Sequence, residues 1–154
     1  MILIKDRLKK LNIVVPEAPS PVGAYVAFKS IGKLVYISGQ LPIDNDGKLL
    51  KGKIGLDLNL EDGQKASRLC VINILAQLKK AVSGDFTRVK NCVKITGFVN
   101  STDNFIDQPK VINPASEIIS EVFEEKGKHA RVAVSVNSLP LGVAVEIDAI
   151  FEII

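Results

Sequence analysis

In the run KHARVAVSVNSLPLGVAVEIDAIFEII, an arginine and two carboxylates interrupt an alternation of small apolar residues. A cation set among strand residues, with Glu146 and Asp148 nearby, is equipped for an acidic ligand or a proton transfer. It is equally equipped for a rim salt bridge with solvated acids, and pattern alone favours that plainer account. Asn113 reads as a helix cap and Tyr25, beside Gly23 in PVGAY, as a packed aromatic. The chain has one histidine, His129, which removes a two-histidine ribonuclease mechanism. Cys70 and Cys92 stand far apart in apolar contexts, RLCVINIL and KNCVKI, as buried inert thiols do. No metal site is expected, because zinc needs ligands that this chain hardly has.

The elements that must position these groups follow from periodicity. Residues 1–15 form an N-terminal helical extension, in which Lys5–Lys10 interleave with Ile4, Leu8 and Leu11 at helical spacing. The proline-rich connector VVPEAPSPVG cannot be helical. Two β-rich runs follow, joined at Gly32-Lys33 by a two-residue turn that suits type II′. A long loop turns at Asp46-Gly47; Asp44, Asn45 and Asp46 fail the EF-hand spacing and read as a plain turn. The clearest helix starts after Asn59 as cap, with acids in its first turn. VKNCVKITGFVNS reads as a strand. A second helix ends near Lys126 with Gly127 as its C′ stop; it begins either at Asn113-Pro114 or near Asp107 with a bend at Pro114. The order α, β, β, α, β, α, β, β predicts an α+β fold with two helices on one face of a single mixed sheet.

The last two strands are expected to pair as a hairpin turning at Leu139–Gly142. Residues whose numbers sum to about 281 then oppose one another. Ala130, Val132, Val134 and Val136 join Val143, Val145, Ile147, Ala149, Phe151 and Ile153 on the helix-covered face. Arg131 shares the other face with Glu146 and Asp148, about 13 Å from Glu146 along the strand. That second face is semi-apolar, as though another chain covered it.

With 154 residues and 47% hydrophobic composition, the chain is expected to be one domain, 1–154, with a core independent of disulfides. The net charge is +3 and the lysines and arginines are scattered among seventeen acids, which argues against a nucleic-acid partner. No apolar run is long enough for a membrane span. A cytoplasmic location is expected; a mitochondrial presequence is the alternative, against which Asp6 counts.

PSPVGAYVAFKSIGKLVYISGQLP, FVNS followed by VIN, and HARVAVSVNSLPLGVAVEIDAIFEI together resemble the reactive-intermediate deaminase family (Rid, or YjgF-like, also endoribonuclease L-PSP-like). The resemblance spans Pro21 to Ile153, in a longer sub-branch with an N-terminal helix. It implies a chorismate-mutase-like fold and a homotrimer whose sheets surround a central barrel, with clefts between subunits. It also implies hydrolysis of enamines or imines of amino acids, such as 2-aminoacrylate, to 2-oxo acids and ammonia without a cofactor. By that resemblance Arg131 grips the substrate carboxylate, Glu146 attends the attacking water, and Tyr25 and Asn113 line the cleft. A guanidinium suits the first role by offering a carboxylate two parallel donors. Gly39 and Gln40 are expected to be structural, the glycine allowing close approach and the glutamine satisfying backbone groups. Ala133 and Ser116 stand where many active relatives have cysteine and tyrosine, which implies a roomier, less aromatic cleft. A carboxylate-binding regulatory trimer without turnover is the rival reading, and RNA cleavage a more distant one.

Overall fold

A computed structural model describes residues 3–154. Helix α1 (Ile4–Lys10) is shorter than the predicted extension. Its Leu8 is buried, Arg7 donates to the Val122 carbonyl at 2.9 Å, and Arg7 pairs with Glu124 at 2.7 Å. Lys5, Lys9 and Lys10 are therefore the outer side of a docked helix, while Arg7 is part of the docking. Strands β1 (Phe28–Ile31) and β2 (Leu34–Gln40) form the expected antiparallel pair around Gly32, whose φ is 58°. In the following loop Asp44 Oδ1 accepts from the amides of Asp46 and Lys48, so the acidic tripeptide is a turn.

Helix α2 (Leu60–Ala81) starts where its cap predicts: Asn59 and Asp62 exchange side-chain and backbone bonds in a capping box. Strand β3 (Val89–Asn100) follows, then helix α3 (Gln108–Phe123). Of the two predicted starts for α3, the structure takes the one near Asp107, with Pro114 inside the helix. Proline at 114 has no N–H for the Lys110 carbonyl. That oxygen accepts instead from Gln64 Nε2 of α2 at 3.0 Å. The helix ends earlier than predicted, passing into a 3₁₀ turn over Glu124–Gly127. Gly127 is not a left-handed stop; it is needed because a Cβ there would collide with the Ile119 carbonyl. Among the described residues no helix is long and apolar enough to cross a membrane.

Strands β4 (Ala130–Val136) and β5 (Val145–Ile153) complete one five-stranded mixed sheet in the order β1-β2-β5-β3-β4. The predicted terminal hairpin does not form. β3 lies between the two strands, parallel to β4 and antiparallel to β5. The α3 connection delivers β4 parallel to β3, and β5 then fills the gap between β3 and β2. α2 and α3 cover one face of this sheet, as expected, over a core that includes Val35, Ile95, Val99, Val145, Ile147 and Phe151.

The new pairing also reverses the faces of β4. Arg131 aligns with Ile95, which aligns with Ala149, so the arginine lies on the helix-covered side. Val132 and Val134 align with Thr96 and Phe98, which align with Asp148 and Glu146. The two valines and two acids therefore share the uncovered face, where Val132, Val134 and Tyr36 are each at least 40% exposed. A semi-apolar open face exists as predicted, but its membership differs.

Candidate functional site

The sequence-derived site residues fall into two groups. Arg131 rises from edge strand β4 toward α3, half-buried, and donates from Nη1 to Asn113 Oδ1 at 2.9 Å and Ser116 Oγ at 3.2 Å. Its Nη2 lies 3.5 Å from the Pro109 carbonyl in the first turn of α3. Asn113 is thus not a helix cap; it is a mid-helix side chain that orients a guanidinium. Among the described residues no carboxylate lies within salt-bridge distance of Arg131. A planar fork is aimed by neutral oxygens, and its charge is left uncompensated.

Ser116 has a second partner that the sequence did not suggest. Its Oγ is 3.0 Å from His129 Nε2, and His129 Nδ1 is 2.6 Å from the Gly127 carbonyl. His129 and Ser116 are thirteen residues apart and meet only because β4 runs beside α3.

Glu146 and Tyr25 form the other group, on the walls of a cleft of about 400 Å³. Val22, Ile43, Leu49 and Leu141 make much of its lining apolar, and Ser38 and Gln40 contribute polar edges. Glu146 alternates with the buried Val145 and Ile147 along β5 and so faces away from the helices, next to a shift in the β2–β5 register between Ile37 and Gln40. Such a bulge re-aims the side chains around it. Gly39 sits in the bulge, and a Cβ there would collide with Glu146 Oε1. Burial, assisted by the nearby charge of Asp148, pushes the Glu146 carboxyl above the usual carboxylate range. It is therefore a group able to hold or release a proton closer to neutrality than a free glutamate.

The loops framing the cleft are pinned from α2. Asn73 Nδ2 donates to the carbonyls of Leu41 and Ile43, each at 3.0 Å. Gln77 Nε2 donates to Pro19 O at 2.7 Å and lies 3.4 Å from Gln40 Oε1, while Gln40 donates to Ser38 O at 3.1 Å. Gln40 thus satisfies backbone as expected. Asn73 and Gln77 are buried polar residues four apart among the buried apolar residues of α2, and that spacing is the signal the sequence carried, since buried amides must find partners.

The structure brings Arg131 together with Asn113, and Glu146 together with Tyr25, but does not unite the pairs within one chain. Arg131 and Glu146 lie on opposite faces of the sheet, three positions apart along β3. Their predicted common face is overturned by the insertion of β3. The buried thiols take no part: burial pushes Cys92 up to about 12 and Cys70 well above the usual thiol range.

The chain is 43% identical over 151 residues to the protein TCP17 of Trypanosoma cruzi, covering 97% of this chain and 94% of that protein. A crystal structure of a protein of unknown function from Agrobacterium tumefaciens superposes with a TM-score of 0.91 at 44% identity, over 99% of this chain and 94% of that one. The human 2-iminobutanoate/2-iminopropanoate deaminase is 29% identical over 135 residues, 87% of this chain and 83% of that protein. The family model described as "YjgF/chorismate mutase-like, putative endoribonuclease" matches residues 5–152. With its mixed sheet backed on one side by α2 and α3, the chain belongs to the YjgF/chorismate mutase-like family.

Proposed function

We propose that this protein hydrolyses enamine or imine derivatives of amino acids to 2-oxo acids and ammonia, at clefts shared between subunits of a homotrimer. The observation that carries the reading is the Arg131 guanidinium, half-buried and aimed by Asn113 and Ser116 with no acidic partner among the described residues. Such a group is built for a carboxylate supplied from outside the chain. The Glu146 cleft supplies the complementary half. Because the two groups lie on opposite faces of one sheet, a complete site takes Arg131 from one protomer and Glu146 from its neighbour. The semi-apolar open face gives that neighbour a surface to cover.

In this site Arg131 holds the substrate carboxylate. Glu146 accepts a proton from water as the water oxygen bonds to the iminium carbon, and the proton then passes to the nitrogen. The carbon–nitrogen bond breaks as the new oxygen becomes a carbonyl, and the released ammonia leaves as ammonium with the hydroxyl proton. Iminium and water thus yield 2-oxo acid and ammonium. Tyr25 lines the cleft. The apolar walls favour substrates with hydrocarbon side chains.

The test uses imines generated in situ by an amino-acid oxidase, with ammonia release compared to the buffer background. Arg131→Ala and Glu146→Gln chains are then mixed by co-expression. A shared site predicts that both variants fail alone and that mixed assemblies regain activity, since one interface in a mixed trimer holds both native residues. Absence of any gain over background in the wild type sinks the deaminase reading. If the wild type is active, failure of the mixture to recover sinks the shared site. Binding of 2-oxobutyrate with no turnover of any imine identifies a carboxylate-sensing assembly instead.

A further inference from the structure

We propose that Ser116 and His129 form a one-directional hydrogen-bond relay that positions the Arg131 guanidinium, with the imidazole locked as its Nδ1–H tautomer. The direction is fixed from both ends. The Gly127 carbonyl, 2.6 Å from Nδ1, can only accept, so Nδ1 carries the hydrogen. Arg131 Nη1, 3.2 Å from Ser116 Oγ, can only donate, so the hydroxyl oxygen accepts there. The single hydroxyl hydrogen is then free for Nε2, 3.0 Å away, which in the Nδ1–H tautomer is an acceptor. Each hydrogen has one acceptor, and the chain runs from Arg131 through Ser116 and His129 to a backbone carbonyl.

The backbone end is rigid. Gly127 is buried against the Ile119 carbonyl, where no side chain fits, so the oxygen that orients the imidazole is itself fixed to α3. Asn113 and Ser116 lie one helical turn apart on α3 and fix the same Nη1 from two directions. Both act on the guanidinium, Ser116 directly and His129 through Ser116. A guanidinium so held loses little freedom when a carboxylate arrives, which is the benefit of a prepared anchor.

The positioning role rests on the carboxylate-anchor reading of Arg131, whereas the tautomer does not, and the experiment separates them. His129 is the single histidine of the chain. The full-length protein labelled with ¹⁵N-histidine therefore gives one imidazole, whose two nitrogen shifts report the tautomer. The expected result is a protonated Nδ1 and an unprotonated Nε2, with the Nε2 resonance moving when 2-oxobutyrate is added to the wild type but not to Arg131→Ala. In calorimetry Ser116→Ala should weaken 2-oxobutyrate about 10-fold, the effect of one hydrogen bond to a charged group, and Ser116→Thr should restore it. On an imine the same loss should fall in KM, with kcat nearly unchanged. A protonated Nε2 in protein that binds 2-oxobutyrate overturns the relay alone. An unchanged affinity in Ser116→Ala overturns the positioning role. Wild-type protein that does not bind 2-oxobutyrate overturns the anchor reading, and the positioning role with it, while leaving the tautomer standing.

Discussion

Arg131 and Glu146 are both ionisable groups on strands of one sheet, yet the chain treats them in opposite ways. The arginine receives neutral oxygens that leave its cation intact and directed. The glutamate is placed in a largely apolar cleft near Asp148, where its anion is disfavoured. The proposed reaction would use both settings: a binding group kept charged, and a proton-exchanging group whose carboxyl is pushed above the usual carboxylate range. The contrast between a directed cation and a disfavoured anion is visible before any ligand is considered.

The sharpest way to break this contrast is Arg131→Ala, which should lower kcat/KM on an imine by about 100-fold or more. Arg131→Lys keeps the charge but loses the fork, and should recover only part of that loss. Steady-state kinetics on oxidase-generated imines checks both. Glu146→Gln should reduce kcat by about 100-fold with little change in 2-oxobutyrate affinity, the reverse of the arginine pattern. Equal effects of both variants on binding would erase the distinction.

Gly39→Ala probes the cleft without altering a charge. The new methyl group collides with Glu146 Oε1, so the carboxylate must move. A fall of about 10-fold in kcat is expected, because acid–base catalysis depends on hydrogen-bond reach. A loss of about 1–3 kcal/mol in stability by denaturant titration is also expected, as for other overpacked sites.

A smaller effect concerns pH. Burial and Asp148 raise the folded-state affinity of Glu146 for its proton. Its contribution to stability is therefore present below the unfolded-state pKa and lost as pH rises through the folded-state value. Glu146→Gln should raise Tm modestly at neutral pH, and the difference should vanish in acid. Thermal unfolding at several pH values checks the sign. The smallest expected signal is from thiol chemistry: Cys70 and Cys92 should remain unreactive toward a thiol reagent until the protein unfolds, as buried, strongly raised thiols do.

Periodicity and capping made the helices and most strands legible. Asn59 marks the start of α2, and the apolar run from Val145 to Ile153 faces the helices as its alternation requires. The pairing of β4 was not legible. Alternation reports which residues share a side, but the same pattern suits a hairpin or a strand placed across an intervening neighbour. Choosing the hairpin put Val132 and Val134 inward because they are apolar and Arg131 outward because it is charged. Insertion of β3 reverses both, and long-range pairing of that kind leaves no local mark. The site residues were named through family resemblance, and the structure groups them into two pairs. Ser116 and His129 escaped notice as a pair because their meeting depends on the same crossover.

The strand order carries a consequence for synthesis. β5 is made after the other four strands of this sheet, yet it occupies an interior position between β2 and β3. Until residues 145–153 emerge from the ribosome, both of those neighbours present unpaired edges, and the core has no central plank. Nascent chains stopped before Val145 should therefore be captured by chaperones or aggregate rather than adopt a smaller stable sheet.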